Sequence, residues 1–278
     1  MKDDYELLDS GDGRKLERFG RYVLARPCSQ ALWRPSLPAS DWARADATFD
    51  REDGNRWHGR GNLPREWEIS TAGIAFRLGG TDFGHLGIFP EQRAQWRWIR
   101  GRVADEVRTR PVSVLNLFAY SGGSTMAAAL GGAEVCHLDA SKGMVEWARG
   151  NARLNGLADR PVRWIVDDAH KFMRRETRRG RTYDAVILDP PTFGRGAGGE
   201  MYKIERDLKE TMGLVRDLLS DRPAFVLFSS HTPGLSPVVA ENILSQLFPA
   251  AGIESGEMLL EGGSRPCPSG VYCRAVFA

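Results

Sequence analysis

From Val112 onward, short apolar runs alternate with stretches whose apolar positions recur at helical spacing. Val112–Leu117 is a near-continuous apolar run with β-branched residues, the pattern of a strand buried on both faces. Runs of the same kind follow at Glu134–Leu138, Val162–Val166, Tyr183–Leu188 and Ala224–Phe228. Between them, Thr125–Leu130 is rich in Ala, Met and Leu, and Ser141 is placed to cap a helix carrying Met144, Val145, Trp147 and Ala148. That helix should stop at Asn155-Gly156. Further helices are predicted over Lys171–Arg179, residues 203–220 and Pro237–Leu247. Glu257–Leu260 and Val271–Phe277 are read as an antiparallel hairpin closing the sheet. Strands alternating with helices predict an α/β fold: a doubly wound, Rossmann-like, mostly parallel sheet with an antiparallel C-terminal hairpin.

The first part of the chain has a different rhythm. Tyr5–Leu8, Lys15–Phe19 and Tyr22–Ala25 are short runs punctuated by Gly11-Asp12-Gly13 and Gly20, which predicts a small antiparallel meander. Residues 34–65, rich in Pro, Gly and charge, are expected to form irregular loop with at most a short helix. Trp67–Ser70 and Ile74–Leu78 predict a second hairpin. Tryptophans concentrate here; filling a small core is favoured over stacking on bases. The expected division is a small β-rich N-terminal region at 1–83 and a main domain at 84–278, entered through a helix from Pro90 to about Arg108 with Trp96, Ile99 and Val103 on one side.

Composition narrows the class. A chain of 278 residues with 42% hydrophobic and 27% charged residues fits a soluble globular protein. It holds no apolar run of about 18 residues, so no transmembrane helix is expected, and its N-terminus lacks the apolar core of a signal peptide. The four cysteines show no C-x-x-C spacing, which suggests reduced, separate thiols in the cytoplasm and no metal site. A net charge of +2 argues neither for nor against a nucleic-acid partner. The basic run Arg174–Arg181 reads as a solvated helix end more readily than as a phosphate contact.

The candidate chemistry lies at the C-terminal ends of the strands, where such sheets bind ligands. The first strand breaks at Ser121-Gly122-Gly123, a turn that lets backbone approach a ligand. Asp139 ends the next strand, 17 residues past Gly122, near the spacing at which an acid meets ribose hydroxyls. The loop lacks the third glycine of a dinucleotide fingerprint, so a nucleoside without phosphates suits it better, and S-adenosylmethionine is such a nucleoside. The fourth strand runs into Asp189-Pro190-Pro191-Thr192-Phe193. Its prolines restrict the backbone and leave carbonyls outward; Asp189 adds an acceptor, and Phe193 offers a stacking face.

These motifs, in this order, resemble the class I S-adenosylmethionine-dependent methyltransferases. Asn116–Gly122, Leu138–Ser141, Asn151–Gly156 and Leu188–Phe193 more narrowly resemble the bacterial large-subunit ribosomal RNA methyltransferase family. The resemblance covers about residues 84–230. It implies a cofactor pocket around Phe118, Ala119, Tyr120 and Gly122, the ribose on Asp139 with Ala140 and Ser141 beside it, and Asp167 or Asp168 near the adenine amine. Gln92 is a further cofactor candidate, and His85 is read as structural. Asp189, Pro190, Pro191 and Phe193 are the expected acceptor-side, catalytic residues. Members that methylate cytosine at C5 carry a nucleophilic Cys after the fifth strand. Here that place reads Phe228-Ser229-Ser230-His231, and the Asp-Pro-Pro-Thr-Phe loop is closer to members that methylate guanine at N7. The N-terminal region does not resemble the RNA-binding domains of those relatives.

The reading is a cytoplasmic methyltransferase using S-adenosylmethionine, transferring directly to a nitrogen of a nucleobase in RNA, ribosomal RNA foremost, without a covalent Cys adduct, a metal or a membrane. Its rivals are a methyltransferase of a non-RNA substrate and a non-catalytic RNA-binding or assembly protein on the same fold. A nucleotide-dependent dehydrogenase is disfavoured by the missing glycine, and a hydrolase by the absence of a G-x-S-x-G elbow. His231 can serve as a base, but three adjacent residues in one loop make no triad. The oligomeric state is left open.

Overall fold

The computed structural model describes residues 3–51, 53–196, 199 and 201–278. They fall into two compact units: residues up to Ala94 with Met258–Ser269, and Gln95–Glu257 with Gly270–Ala278. Residues 84–94 thus cluster with the first unit, as does the tip of the C-terminal hairpin.

In the first unit, β1 (Tyr5–Gly11), β2 (Arg14–Phe19) and β3 (Tyr22–Pro27) form the expected antiparallel meander. Tyr5, Leu7, Leu16, Phe19 and Leu24 are buried. Glu17 is buried with them. It accepts from Arg26 Nε at 2.8 Å and Tyr5 Oη at 3.0 Å, with Lys15 Nζ at 3.4 Å, so the interior charge is paired. The expectation for residues 34–65 needs correction. Helix α1 (Ala39–Trp42) is the short helix, but two strands follow it. β4 (Ala47–Asp50) lies parallel to β3, and β5 (Arg56–His58) pairs antiparallel with β4. Runs of four and three residues are too short for alternation to register; burial of Ala47 and Phe49 makes β4 a strand. β6 (Trp67–Thr71) and β7 (Ile74–Leu78) make the second hairpin. Trp33, Trp42 and Trp57 are half-buried and donate to Ser10 O at 2.9 Å, Asp9 Oδ2 at 3.2 Å and Thr81 O at 2.8 Å. Each thus buries ring area while its N–H stays satisfied. Cys28 and Cys267 are not separate thiols: their Sγ atoms lie 3.0 Å apart, both free.

Pro90–Gln92 is a single 3-10 turn leading into α2 (Arg93–Glu106), where Trp96, Ile99 and Val103 are buried. The second unit then runs β8 (Ser113–Leu117), α3 (Gly123–Gly131), β9 (Glu134–Asp139), α4 (Lys142–Leu154), β10 (Val162–Val166), α5 (Ala169–Arg178) and β11 (Ala185–Leu188). A small arm follows, β12 (Phe193–Arg195) and β13 (Met201–Lys203), which the alternation does not predict. After it come α6 (Ile204–Asp217), β14 (Phe225–Ser230), α7 (Pro237–Leu247), β15 (Gly252–Leu260) and β16 (Cys267–Val276). The seven-stranded sheet has the order β10-β9-β8-β11-β14-β16-β15. Its first five strands are parallel and β16 is antiparallel to β14. β8 and β11 are neighbours, yet the chain leaves them in opposite directions. Their C-terminal ends therefore open the crevice where doubly wound sheets take ligands. Packing against the sheet buries Leu115, Leu117, Leu138, Phe172, Met212, Val226 and Phe228 in one core.

Among the described residues, no helix is long and apolar enough to cross a membrane, and no group of three or more His, Cys, Asp or Glu could hold a metal ion.

Candidate functional site

The loop after β8 is held in an unfavourable backbone. Phe118 and Tyr120 have φ of +54° and +50°, a region costing non-glycine residues of order 1–3 kcal/mol each. Surrounding bonds over-determine it. Ala119 N donates to Leu138 O at 3.0 Å, Tyr120 N to Asp139 Oδ2 at 2.8 Å, and Gly122 N to Ala119 O at 3.0 Å. The buried Asn151 side chain donates to Ser121 O at 2.9 Å. The two glycines then answer different needs. Gly122 has φ +88°, and a Cβ there would lie 2.9 Å from Met126 Cε and 3.0 Å from Ala148 Cβ. A Cβ on Gly123 would lie 2.6 Å from the Trp96 ring. No side chain caps α3, whose N-terminal N–H groups are suited to a carboxylate.

Asp139 ends β9 beside this loop. Its Oδ2 takes the Tyr120 N–H and its Oδ1 takes Ser141 N at 2.8 Å. A carboxylate has about four lone-pair sites, so each oxygen keeps capacity for a hydroxyl. Burial lifts this carboxyl above its usual range, while the two N–H donors pull it back. Ser141 caps α4 by accepting Met144 N at 3.4 Å, and Ala140 sits between the two, half-buried. On the next strand end, Asp167 N donates to Asp139 O at 3.2 Å. Asp167 spends Oδ2 on Arg175 at 2.7 Å and Oδ1 on Asp168 N at 2.8 Å. Asp168 caps α5 through Lys171 N at 2.9 Å. Both acids therefore stand at the strand end with a structural partner each. The same region ties down the basic run: Arg175 holds Asp167 and Arg179 Nη1 holds Glu176 at 3.3 Å.

A second group of residues carried no sequence signal. The Phe118 ring meets Tyr202 at 5.2 Å between centroids. Tyr202 Oη lies 3.2 Å from Thr211 Oγ1, and His170 Nε2 lies 2.7 Å from the same oxygen. Burial pushes the Tyr202 hydroxyl up to about 12, so it stays protonated. Tyr202 lies on the unforeseen arm, and His170 and Thr211 come from α5 and α6, so only tertiary packing brings them to Phe118.

Across the switch point, Asp189-Pro190-Pro191 follows β11, with Pro190 buried and Asp189 and Pro191 half-buried. Asp189 Oδ1 lies 3.5 Å from His231 Nδ1, and Thr192 Oγ1 lies 2.8 Å from Thr232 Oγ1. The loops after β11 and β14 are thus joined side by side. Phe193 is 52% exposed and pairs across the arm with Lys203. The structure therefore gathers Phe118, Ala119, Tyr120, Gly122, Asp139, Ala140, Ser141, Asp167 and Asp168 on one side of β8. Asp189–Phe193 stand on the other, with His231 added. Gln92 is buried and falls within the first compact unit.

An uncapped helix after a strained glycine turn, with a half-buried acid beside it and no phosphate-type glycine triplet, fits a nucleoside with a charged amino-acid tail. Residues 39–228 match the family of S-adenosylmethionine-dependent methyltransferases. The chain belongs to that family. It is 37% identical to a SAM-dependent methyltransferase from Agrobacterium tumefaciens, whose crystal structure superposes with a TM-score of 0.93 over 99% of this chain and 91% of that one. A Streptococcus mutans protein shares the fold at 18% identity, with a TM-score of 0.76 over 99% of this chain and 75% of that one. Among curated relatives, ribosomal RNA large subunit methyltransferase K/L of Shewanella frigidimarina is 33% identical over 160 residues, 56% of this chain and 21% of that protein. The Magnetococcus marinus protein of the same name is 31% identical over 183 residues, 63% of this chain and 23% of that protein. The chain spans about a fifth of the length of these curated relatives. The cofactor of the methyltransferase family is S-adenosylmethionine, and the residues at the ends of β8 and β9 fit it.

Proposed function

We propose that the chain transfers a methyl group from S-adenosylmethionine directly to a ring nitrogen of a nucleobase in RNA, ribosomal RNA foremost, in the cytoplasm. The observation that carries this reading is the acceptor side of the crevice: Asp189 beside His231, an exposed Phe193 on the adjoining arm, and no thiol among them. A carbon acceptor such as cytosine C5 needs a covalent thiolate. The nearest thiol in register to β14 is Cys273, opposite Phe228, and it is fully buried within the sheet. A nitrogen acceptor needs only alignment and, where it carries a proton, a group to take it. The names of the curated relatives supply the RNA part of the reading.

The cofactor, when bound, supplies a methyl on a sulfonium, already a strong electrophile. The chain's task is then mostly positioning, worth up to about 7–11 kcal/mol in well-aligned reactions. Asp139 would accept from the ribose hydroxyls, and the α3 N-terminus would take the carboxylate. Asp189 and the Pro190 carbonyl would accept hydrogen bonds from the base edge and turn its nitrogen toward the crevice. Phe193 would stack on the ring. His231, oriented by Asp189, would receive a proton from an N–H acceptor. The alternative acceptors, small molecules or protein, are outcomes of the same experiment.

The test is incubation with methyl-labelled S-adenosylmethionine and separated RNA, protein and small-molecule fractions, followed by nucleoside digestion. Label on a ring nitrogen of RNA is expected. Label in another fraction, label on a ring carbon, or a protein–RNA complex surviving denaturation would overturn the respective part of the reading.

A further inference from the structure

We infer that Cys28 and Cys267 are a redox pair that closes to a disulfide, locking the first compact unit covalently. The two residues are 239 apart in the chain, yet their sulfur atoms lie 3.0 Å from one another. Both belong to the first unit. Cys28 follows the end of β3, pinned by its N–H to Gly13 O at 2.7 Å, and is half-buried. Cys267 opens β16 and is fully buried. Forming the bond needs the sulfurs to move about 1 Å closer, to roughly 2.05 Å.

The surroundings give the two thiols different tasks. A hydrogen bond from Cys267, the Lys15 ammonium and the N–H groups of Gln30 and Ala31 favour a Cys28 thiolate against its burial and hold it below the usual thiol range. Cys267 is pushed upward, chiefly by donating to Cys28, with burial and Glu17 adding to it. Cys28 is therefore the reachable nucleophile and Cys267 the buried resolving thiol. The remaining cysteines behave differently. Cys136 and Cys273 sit inside the central sheet, and burial lifts them to about 11 and about 12.

The oxidant is a small disulfide of the glutathione class. The Cys28 thiolate attacks one of its sulfurs, breaking the S–S bond and releasing one glutathione thiolate. Cys267 loses its proton and attacks the Cys28 sulfur, releasing the second. Two protein thiols are oxidised, one glutathione disulfide is reduced to two thiols, and those thiols take up the protons. The structural consequence lies in how the first unit is built. Its returning segment, Met258–Ser269, is otherwise held by non-covalent contacts such as the Leu7–Gly262 bridge and Arg265 to Ser36 Oγ at 3.0 Å. The disulfide would stop that segment from detaching.

The test is equilibration of the whole chain in glutathione/glutathione disulfide mixtures, acid quenching, alkylation and peptide mapping by mass spectrometry, with melting curves alongside. A linked Cys28–Cys267 peptide lacking both thiol hydrogens is expected. Cys136 and Cys273 should alkylate only after denaturation, and the melting temperature should rise by several degrees, reversibly with dithiothreitol. Cys267→Ser should stop at a Cys28–glutathione mixed disulfide, and Cys28→Ser should give neither product. A wild-type chain that retains the mixed disulfide on Cys28, or whose Cys28 stays unmodified in the most oxidising mixture, overturns the inference.

Discussion

Asp139 fastens two loops at once, taking the Tyr120 and Ser141 N–H groups on separate oxygens. Its loss should be felt in cofactor binding. A hydrogen bond to a charged acceptor is worth roughly 1.5–3 kcal/mol, so Asp139→Ala should weaken S-adenosylmethionine binding about tenfold or more. Calorimetry on a variant shown to be folded checks this, and unchanged affinity would remove Asp139 from the cofactor site. Asp189, His231 and Phe193 stand across the switch point and should act on transfer instead. Asp189→Asn and His231→Gln should lower the single-turnover rate. Phe193→Ala should cost about 1–3 kcal/mol if a base stacks there. Cofactor affinity should stay near wild type in all three. Since Phe193 is exposed, its truncation leaves the core intact, so normal transfer by that variant would make the arm a bystander.

At the scale of elements, the β8–α3 turn is strained backbone wedged between helices. Gly123 packs against α2 through the Trp96 ring, and Gly122 packs against α4 through Ala148. An added methyl has no room at either place. Gly123→Ala should destabilise by about 1–3 kcal/mol through overpacking. Gly122→Ala should cost at least as much, because its φ of +88° adds backbone strain to the close contact. Urea unfolding measures both, and a variant as stable as wild type would show that α2 or α4 shifts freely. The tight turn keeps Tyr120 N against Asp139, so these variants should also lose cofactor affinity.

At the scale of the molecule, the buried network through the sheet sets a pH dependence. Asn116 Nδ2 donates to Thr125 Oγ1 at 2.9 Å, and Thr125 Oγ1 lies 2.9 Å from His137 Nδ1. Burial, with the Arg149 charge adding to it, pushes His137 down to about 3. An unfolded histidine titrates near 6.5. Between those values the unfolded chain holds a proton that the folded chain lacks, so stability falls as pH falls. The slope from one such group is at most about 1.4 kcal/mol per pH unit. Asp3, Glu176 and Asp184 have carboxyls held below their usual range by hydrogen bonds and nearby arginines, despite burial that opposes it. Their contribution is lost only at lower pH, and Cys28 titrates alike in both proteins, so the difference between wild type and His137→Gln from pH 7 to 5 isolates His137. Urea unfolding of wild type should lose stability across that span, and His137→Gln should lose less. Equal losses would place the titration elsewhere.

Much of the second unit was written in local pattern. Apolar runs marked the strands, Ser141 and Asn155-Gly156 marked the ends of α4, and Pro237–Leu247 is helical over the range read from sequence. The motifs that resemble the methyltransferase family also placed Asp139 and Asp189 at strand ends. These features depend on residues a few positions apart, which is the distance over which periodicity and capping act. Other features depend on neighbours distant in sequence. β4 is a strand because β3 lies beside it, and the arm carrying Tyr202 folds back to Phe118. His231 gains a partner because β14 pairs with β11 and sets its loop against Asp189. Cys28 meets Cys267 only after the chain has returned to the first unit. A sequence pattern reports that a position is buried or turned, and so it determined the elements and the polar residues at their ends. Which side chain faces which is settled by strand order and packing, and those belong to the tertiary structure alone.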